Sequence, residues 1–210
     1  MDPYQETFET WNNLASQYQE KFMDLDLYNQ TYDYFCRKIN KPKAKVLEIG
    51  CGPGNITQYL LKKRPDFEIL GIDIAPKMIE LARINNPSAN FEIMDSRKIN
   101  ELKTQYDGII SGFCLPYLSQ KEGKDLISNC YNLLNKSGVL YLSFVEGNPD
   151  QSNFKSGTGG RVFFYFHDLN DLIKELTLTR FEEIQTFRVQ YNRTENQLET
   201  HTILTAVKSN

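Results

Sequence analysis

Val46-Leu47-Glu48-Ile49-Gly50-Cys51-Gly52-Pro53-Gly54-Asn55 is the stretch whose reading decides the fold. Lys45 to Ile49 is a short β-type run that stops at a glycine. Glycines at 50, 52 and 54 follow, residues that let a chain turn sharply and approach a ligand closely. Asn55 to Arg64 then carries Ile56, Tyr59, Leu60 and Lys63 at helical spacing, and Pro65-Asp66 closes it. A strand, a glycine-rich turn and a helix in that order form one edge of a nucleotide-type site, at the C-terminal ends of parallel strands.

Working outward, the same alternation continues. Glu68 to Asp73 reads as a second strand, and Pro76 opens a helix whose buried face is Met78, Ile79, Leu81 and Ala82. Asn90 to Met94 and Tyr106 to Ser111 are further strands, Lys121 to Leu134 a helix stopped by Asn135-Lys136-Ser137-Gly138, and Val139 to Val145 a fifth strand. Strands alternating with helices from 45 to 145 imply a parallel sheet with right-handed crossovers. Upstream, residues 5 to 40 are rich in aromatics and read as two or three helices, with Leu27, Thr31, Tyr34, Phe35 and Lys38 on one helical face, ended by Asn40-Lys41-Pro42. Downstream, Glu146 to Arg161 reads as a long glycine-bearing loop, a functional or unordered feature in a compact domain. Residues 182 to 191 and 199 to 207 read as an antiparallel hairpin around 192 to 196. The expected organisation is a single domain over 1–210, with a helical cover at 1–41, a core at 42–145, and a cover loop, helix and hairpin at 146–210.

Composition narrows the function. The chain has 210 residues, with 24 basic against 27 acidic side chains and a formal charge of −3. Phosphate-backbone binding calls for clustered Lys and Arg, so nucleic acid is not expected as a partner. Met1-Asp2-Pro3-Tyr4-Gln5-Glu6 has neither a basic nor an apolar leader region, and no run is long enough to span a membrane. Cys36, Cys51, Cys114 and Cys130 form no CxxC pair and fit no zinc spacing, so no metal is expected and a reducing cytoplasm is. A monomer or a homodimer is expected.

Acidic residues mark the ends of three successive strands. Glu48 precedes the glycines, giving E-x-G-x-G-x-G where a dinucleotide fingerprint needs no acid. Asp73 ends the second strand, where a carboxylate can accept both ribose hydroxyls. Asp95, before Ser96 and Arg97, ends the third, within reach of an adenine amino group. Carboxylates oppose a pyrophosphate and suit a positively charged, phosphate-free nucleoside.

With those residues in view, Val46 to Asn55, Gly71-Ile72-Asp73-Ile74-Ala75-Pro76-Lys77-Met78-Ile79-Glu80-Leu81-Ala82 and Met94-Asp95-Ser96 together resemble the class I S-adenosylmethionine-dependent methyltransferases. The resemblance covers about 40 to 145 well and the C-terminal hairpin in topology. It implies an α/β, Rossmann-like, mostly parallel seven-stranded sheet of order 3-2-1-4-5-7-6, strand seven antiparallel, with helices on both faces. It also implies roles. Gly50, Cys51, Gly52 and Gly54 would line the methionine part of S-adenosylmethionine, over Glu48. Asp73 would hold the ribose, Ile74 and Met78 would pack on the adenine, and Asp95 and Ser96 would meet its edge. Gly112 and Phe113 would face the sulfonium. The absence of a tandem proline or a Pro-Cys after the fourth strand points to the small-molecule branch.

The sulfonium methyl is already activated, so alignment carries most of the chemistry, and a base is needed only for an acceptor that loses a proton. His167, after the long loop, and Tyr117, where relatives commonly carry histidine, are the catalytic candidates. His201 lies in an alternating strand and reads as exposed. Trp11 and Tyr18 could belong to a helical lid. Two other classes remain open from sequence: a non-catalytic module that binds the nucleoside, and a nicotinamide-dependent oxidoreductase.

Overall fold

The computed structural model describes residues 3–157, 159–194 and 197–210. Three helices come first: α1 (Pro3–Asn13), α2 (Ala15–Phe22) and α3 (Asn29–Lys38). The α/β core follows as β1 (Lys45–Ile49), α4 (Asn55–Lys63), β2 (Glu68–Asp73), α5 (Pro76–Asn85), β3 (Asn90–Ile93), β4 (Tyr106–Ser111), α6 (Gln120–Leu133) and β5 (Leu134–Val145). Then come β6 (Asn153–Gly157), β7 (Gly160–Phe164), α7 (Leu169–Leu178), β8 (Phe181–Thr194) and β9 (Gln197–Lys208).

Seven strands form one sheet in the order β3-β2-β1-β4-β5-β9-β8. Counted within that sheet, this is the expected 3-2-1-4-5-7-6. The pairs among β1 to β5 are parallel, while β9 runs antiparallel to both β5 and β8. The strand order reverses between β1 and β4, so their C-terminal ends diverge and leave a crevice there.

Alternation along β1 divides the core into two layers. Leu47 and Ile49 pack with Leu126 and Ile127 of α6 and Leu172 and Leu176 of α7. Val46 packs with Tyr32 and Phe35 of α3 and Ile56 and Leu60 of α4. Successive side chains of a strand point to opposite faces, so each β1 residue commits to one layer. The start of α6 follows capping chemistry. In α6, the Ser119 side chain accepts from the Glu122 N–H while the Glu122 carboxylate accepts from the Ser119 N–H.

Several local expectations are corrected. Residues 146–161 are not one loop: β6 and β7 form a separate antiparallel hairpin. Gly157 and Gly160 pair at its tip, and Phe154 faces Phe163 across the strands. The glycines that suggested a loop are turn residues, and the aromatics beside them supply cross-strand contacts. The apolar face of α3 is Thr31, Tyr32, Phe35 and Cys36, whereas Leu27 lies before the helix and is exposed. β5 begins at Leu134, paired to Tyr106, and continues through an irregular step in which Ser137 has φ 59°. The expected stop at 135–138 is therefore an irregularity inside the strand.

Candidate functional site

Two clefts open at the C-terminal edge of the sheet. Gly50 follows β1, Asp73 ends β2, Met94 and Ser96 follow β3, and Gly112 to Cys114 follow β4, and all of them line the first cleft. α1 and α2 cover it with Tyr4, Phe8, Trp11 and Tyr18. Including its mouth, the first cleft encloses about 790 Å³ and the second about 1520 Å³.

The glycine turn is built by backbone geometry. Gly52, at φ +52°, directs its N–H to Asp73 Oδ2 at 3.0 Å. Gly54, at φ +82°, is the N-cap of α4, and a Cβ there would lie 2.4 Å from Asn86 Nδ2. Asn86 in turn donates to the Gly54 carbonyl at 3.0 Å. Only glycine meets both the left-handed backbone and that contact.

Of the three carboxylates expected at the crevice, Asp73 alone lines it. Its Oδ1 also accepts from the Ala75 N–H at 2.8 Å, and the carboxylate faces the cleft. Burial raises its pKa against the pull of those backbone donors. Glu48 lies beneath the glycines, fully buried, accepting from the Thr57 hydroxyl on Oε2, with no partner for Oε1 among the described residues. Burial pushes its carboxyl up to about 8, so Glu48 is largely protonated at neutral pH. Asp95 is turned to its own neighbours: Arg97 Nη2 donates at 2.7 Å and the Tyr4 hydroxyl at 3.0 Å. Burial opposes ionisation of Asp95, but the Arg97 guanidinium outweighs it and holds the carboxyl below its usual range.

The remaining expected positions divide in the same way. Ile74, Met78, Ser96, Gly112, Phe113 and Tyr117 line the first cleft. Cys51 and Gly54 do not: Cys51 packs with Ile79, Ala82 and Phe91 behind the turn, and burial raises its thiol pKa. His167 also lies away from both clefts. Its ring is buried, and Nε2 donates to the Leu115 and Leu118 carbonyls at 2.9 and 3.1 Å. Burial lowers its pKa, and its hydrogen bonds pin the 3-10 turn Leu115–Tyr117. His167 therefore acts as a strut under Tyr117, which borders both clefts.

Sequence reasoning missed the second cleft. His201, expected on an exposed face, is 7 % exposed and lines that cleft with Tyr28 and Tyr191. β9 lies between β5 and β8, so it is an interior strand whose faces are covered. The expected strand order already held that signal, since it places the last strand inside the sheet.

The donor set of the first cleft favours one ligand chemistry. Among the described lining residues, Asp73 is the one charged group, and no Lys or Arg is present to meet a diphosphate. A carboxylate facing the cleft, apolar flanks at Ile74 and Met78, and an aromatic cover suit a cationic, phosphate-free nucleoside.

Residues 46–138 match the family model described as a methyltransferase domain. The fold matches magnesium protoporphyrin IX methyltransferase from Synechocystis PCC 6803, solved with bound S-adenosylmethionine. The TM-score is 0.75 and the identity 20%, over 100% of this chain and 98% of that one. Residues 46–138 thus resemble a methyltransferase domain, and they sit on a fold shared with S-adenosylmethionine-dependent methyltransferases. Among curated relatives, this chain is 35% identical over 106 residues to a malonyl-[acyl-carrier protein] O-methyltransferase of Acetivibrio thermocellus, covering 50% of this chain and 36% of that one. It is 26% identical over 121 residues to a ubiquinone biosynthesis O-methyltransferase of Xanthomonas campestris, covering 56% and 49%. This chain thus spans about a third to a half of the length of these curated relatives. No helix among its described residues is long and apolar enough to cross a membrane.

Proposed function

We propose that this protein transfers the methyl group of S-adenosylmethionine to a small-molecule acceptor held in the second cleft. The observation that carries this reading is a shared wall: Trp11, Tyr18, Gly50, Gly112, Phe113 and Tyr117 border both clefts. A donor in one and an acceptor in the other meet across that wall.

Asp73 would hold the ribose hydroxyls, Gly50 and Gly52 the methionine portion, and Ile74 and Met78 the adenine faces. Ser96 would take the adenine edge. S-adenosylmethionine supplies an activated methyl on a positively charged sulfur. The chain's own part is to align the acceptor and exclude water. α1 and α2 do the excluding, held by the hairpin: Thr10 Oγ1 donates to the Arg161 carbonyl at 2.9 Å, and the Phe163 N–H donates to Thr7 Oγ1 at 2.9 Å. Orientation of this kind is worth on the order of 7–11 kcal/mol at best. The negative formal charge supports a small molecule over nucleic acid as acceptor.

Calorimetry with S-adenosylmethionine and S-adenosylhomocysteine, followed by a mass-spectrometric screen of metabolites for a methyl gain, tests the reading. Micromolar binding of both and methylation of at least one metabolite are expected. Folded protein that binds neither compound sinks it, and binding without methylation of anything favours a non-catalytic module.

A further inference from the structure

Tyr28, His201 and Glu199 form an array on the wall of the second cleft that the methyl-transfer geometry alone does not require. Tyr28 Oη lies 2.6 Å from His201 Nδ1. On the far side of the ring, His201 Nε2 lies 3.5 Å from Glu199 Oε2. The Tyr191 ring stacks on the imidazole at 4.8 Å and 16°, while the Tyr28 ring, its centroid 6.0 Å away and tilted by 14°, meets the imidazole edge through its hydroxyl. Phe113 meets Tyr28 and His201 at 5.3 and 4.7 Å between centroids. Phe113 also belongs to the wall shared with the first cleft, so this array abuts the place where donor and acceptor meet.

The Glu199 carboxylate lies nearest Nε2 and favours the proton there; a ring protonated at Nε2 leaves Nδ1 to accept from the Tyr28 hydroxyl. Tyr28 Oη is then a donor toward the ring and an acceptor toward the cleft. An acceptor that gives up no proton would leave this arrangement idle. The cleft lining also includes the aromatic rings of Trp11, Phe22 and Phe164 and the cations Lys21 and Lys155. Flat rings stack on such walls, and nearby cations favour an oxygen that gains negative charge.

We propose that the acceptor is an aromatic hydroxyl compound and that its proton leaves through Tyr28 to His201. This rests on the methyltransferase reading above. As the acceptor oxygen attacks the methyl carbon, the O–C bond forms and the C–S bond breaks, with its electron pair remaining on sulfur. The acceptor's hydroxyl proton passes to Tyr28 Oη, and the Tyr28 proton passes to His201 Nδ1. The imidazolium so formed faces Glu199 and later releases the proton to water. No electrons are exchanged. The groups facing His201 are Tyr28 ahead of α3, Tyr191 on β8 and Glu199 on β9, with the Lys21 ammonium 6.0 Å from the Tyr191 ring. Burial lowers the His201 pKa against Glu199, so the ring is neutral and able to accept at neutral pH.

The test uses 4-nitrophenol, whose ionised form absorbs in the visible, titrated into protein saturated with S-adenosylhomocysteine. At a pH below the midpoint of the free phenol, the wild type is expected to bind it with a visible phenolate band. Tyr28→Phe and His201→Gln should bind S-adenosylhomocysteine normally and lose that band. Methylation of the probe in the presence of S-adenosylmethionine should fall about 100-fold or more. Glu199→Gln leaves the imidazole in place and should weaken the band, so it decides the matter if His201→Gln does not fold. Protein that binds S-adenosylhomocysteine but not 4-nitrophenol overturns the proposal, as does a bound phenol that stays neutral or ionises equally in the variants. Failure to bind S-adenosylhomocysteine at all strikes the methyltransferase reading instead.

Discussion

Two carboxylates flank the glycine turn and serve opposite ends, Asp73 on the wall of the first cleft and Glu48 buried beneath. Backbone N–H groups hold Asp73 in place. Asp73→Asn retains shape but loses charge-assisted acceptance from a ribose. S-adenosylhomocysteine affinity should fall about 10- to 100-fold, matching ~1.5–3 kcal/mol for hydrogen bonds to a charged group, and calorimetry measures it. Glu48 presents no atom to the cleft, and its carboxyl is raised from 4.5 to about 8 by burial. A raised carboxyl binds its proton more tightly folded than unfolded, so its contribution to stability is complete below pH 4.5 and is lost as pH rises through 8. Glu48→Gln keeps the neutral shape at every pH. It should flatten that part of the stability–pH curve and leave the protein about 2–3 kcal/mol more stable near neutrality, which urea titrations at several pH values measure.

At the scale of elements, the turn into α4 and the cover over the clefts are the points of highest sensitivity. Gly54→Ala forces a side chain into a left-handed backbone against Asn86. A loss of about 2 kcal/mol or more is expected in urea unfolding. The cover is a joint assembly: α1 lies on β7 through Thr7 and Thr10, and Glu6 pairs with Arg161. Thr7→Val with Thr10→Val removes both bonds to the hairpin, and the Thr7 hydroxyl's bond to the Pro3 carbonyl within α1, while preserving shape, at about 1 kcal/mol each. S-adenosylhomocysteine should dissociate roughly 5- to 30-fold faster if those bonds hold the cover shut. Trp11 is the sole tryptophan and lines both clefts, so stopped-flow emission reads that rate without a label. The sequence spoke clearly about α4, because strand, glycines and amphipathic helix are local signals. It was silent about the hairpin at 153–164, whose glycines imitate a loop and whose meaning comes from contact with residues some 150 positions earlier.

For the whole molecule, legibility followed the range of the interactions. The sheet order was readable because alternating strands and helices admit few topologies, and the first-cleft residues were readable from their places, Gly50, Gly52, Asp73 and Ile74 at or just past strand ends and Met78 in the first turn of α5. Side-chain direction at those ends was not: Glu48 turns under the floor, Asp95 turns to Arg97, and His167 turns to the Leu115 and Leu118 carbonyls. His201 was misread because its burial depends on Tyr28, 173 residues away. Binding should couple to global stability: S-adenosylhomocysteine at a hundred times its dissociation constant should add about 2.7 kcal/mol, seen as a higher melting temperature. The placing of Trp11 and Tyr18 in the walls of both clefts has a kinetic corollary. One ceiling spans two rooms, so a guest in either props or presses the same panel, and departures should queue behind its lifting. Added viscogen should therefore slow steady-state turnover while leaving a single pre-loaded turnover untouched.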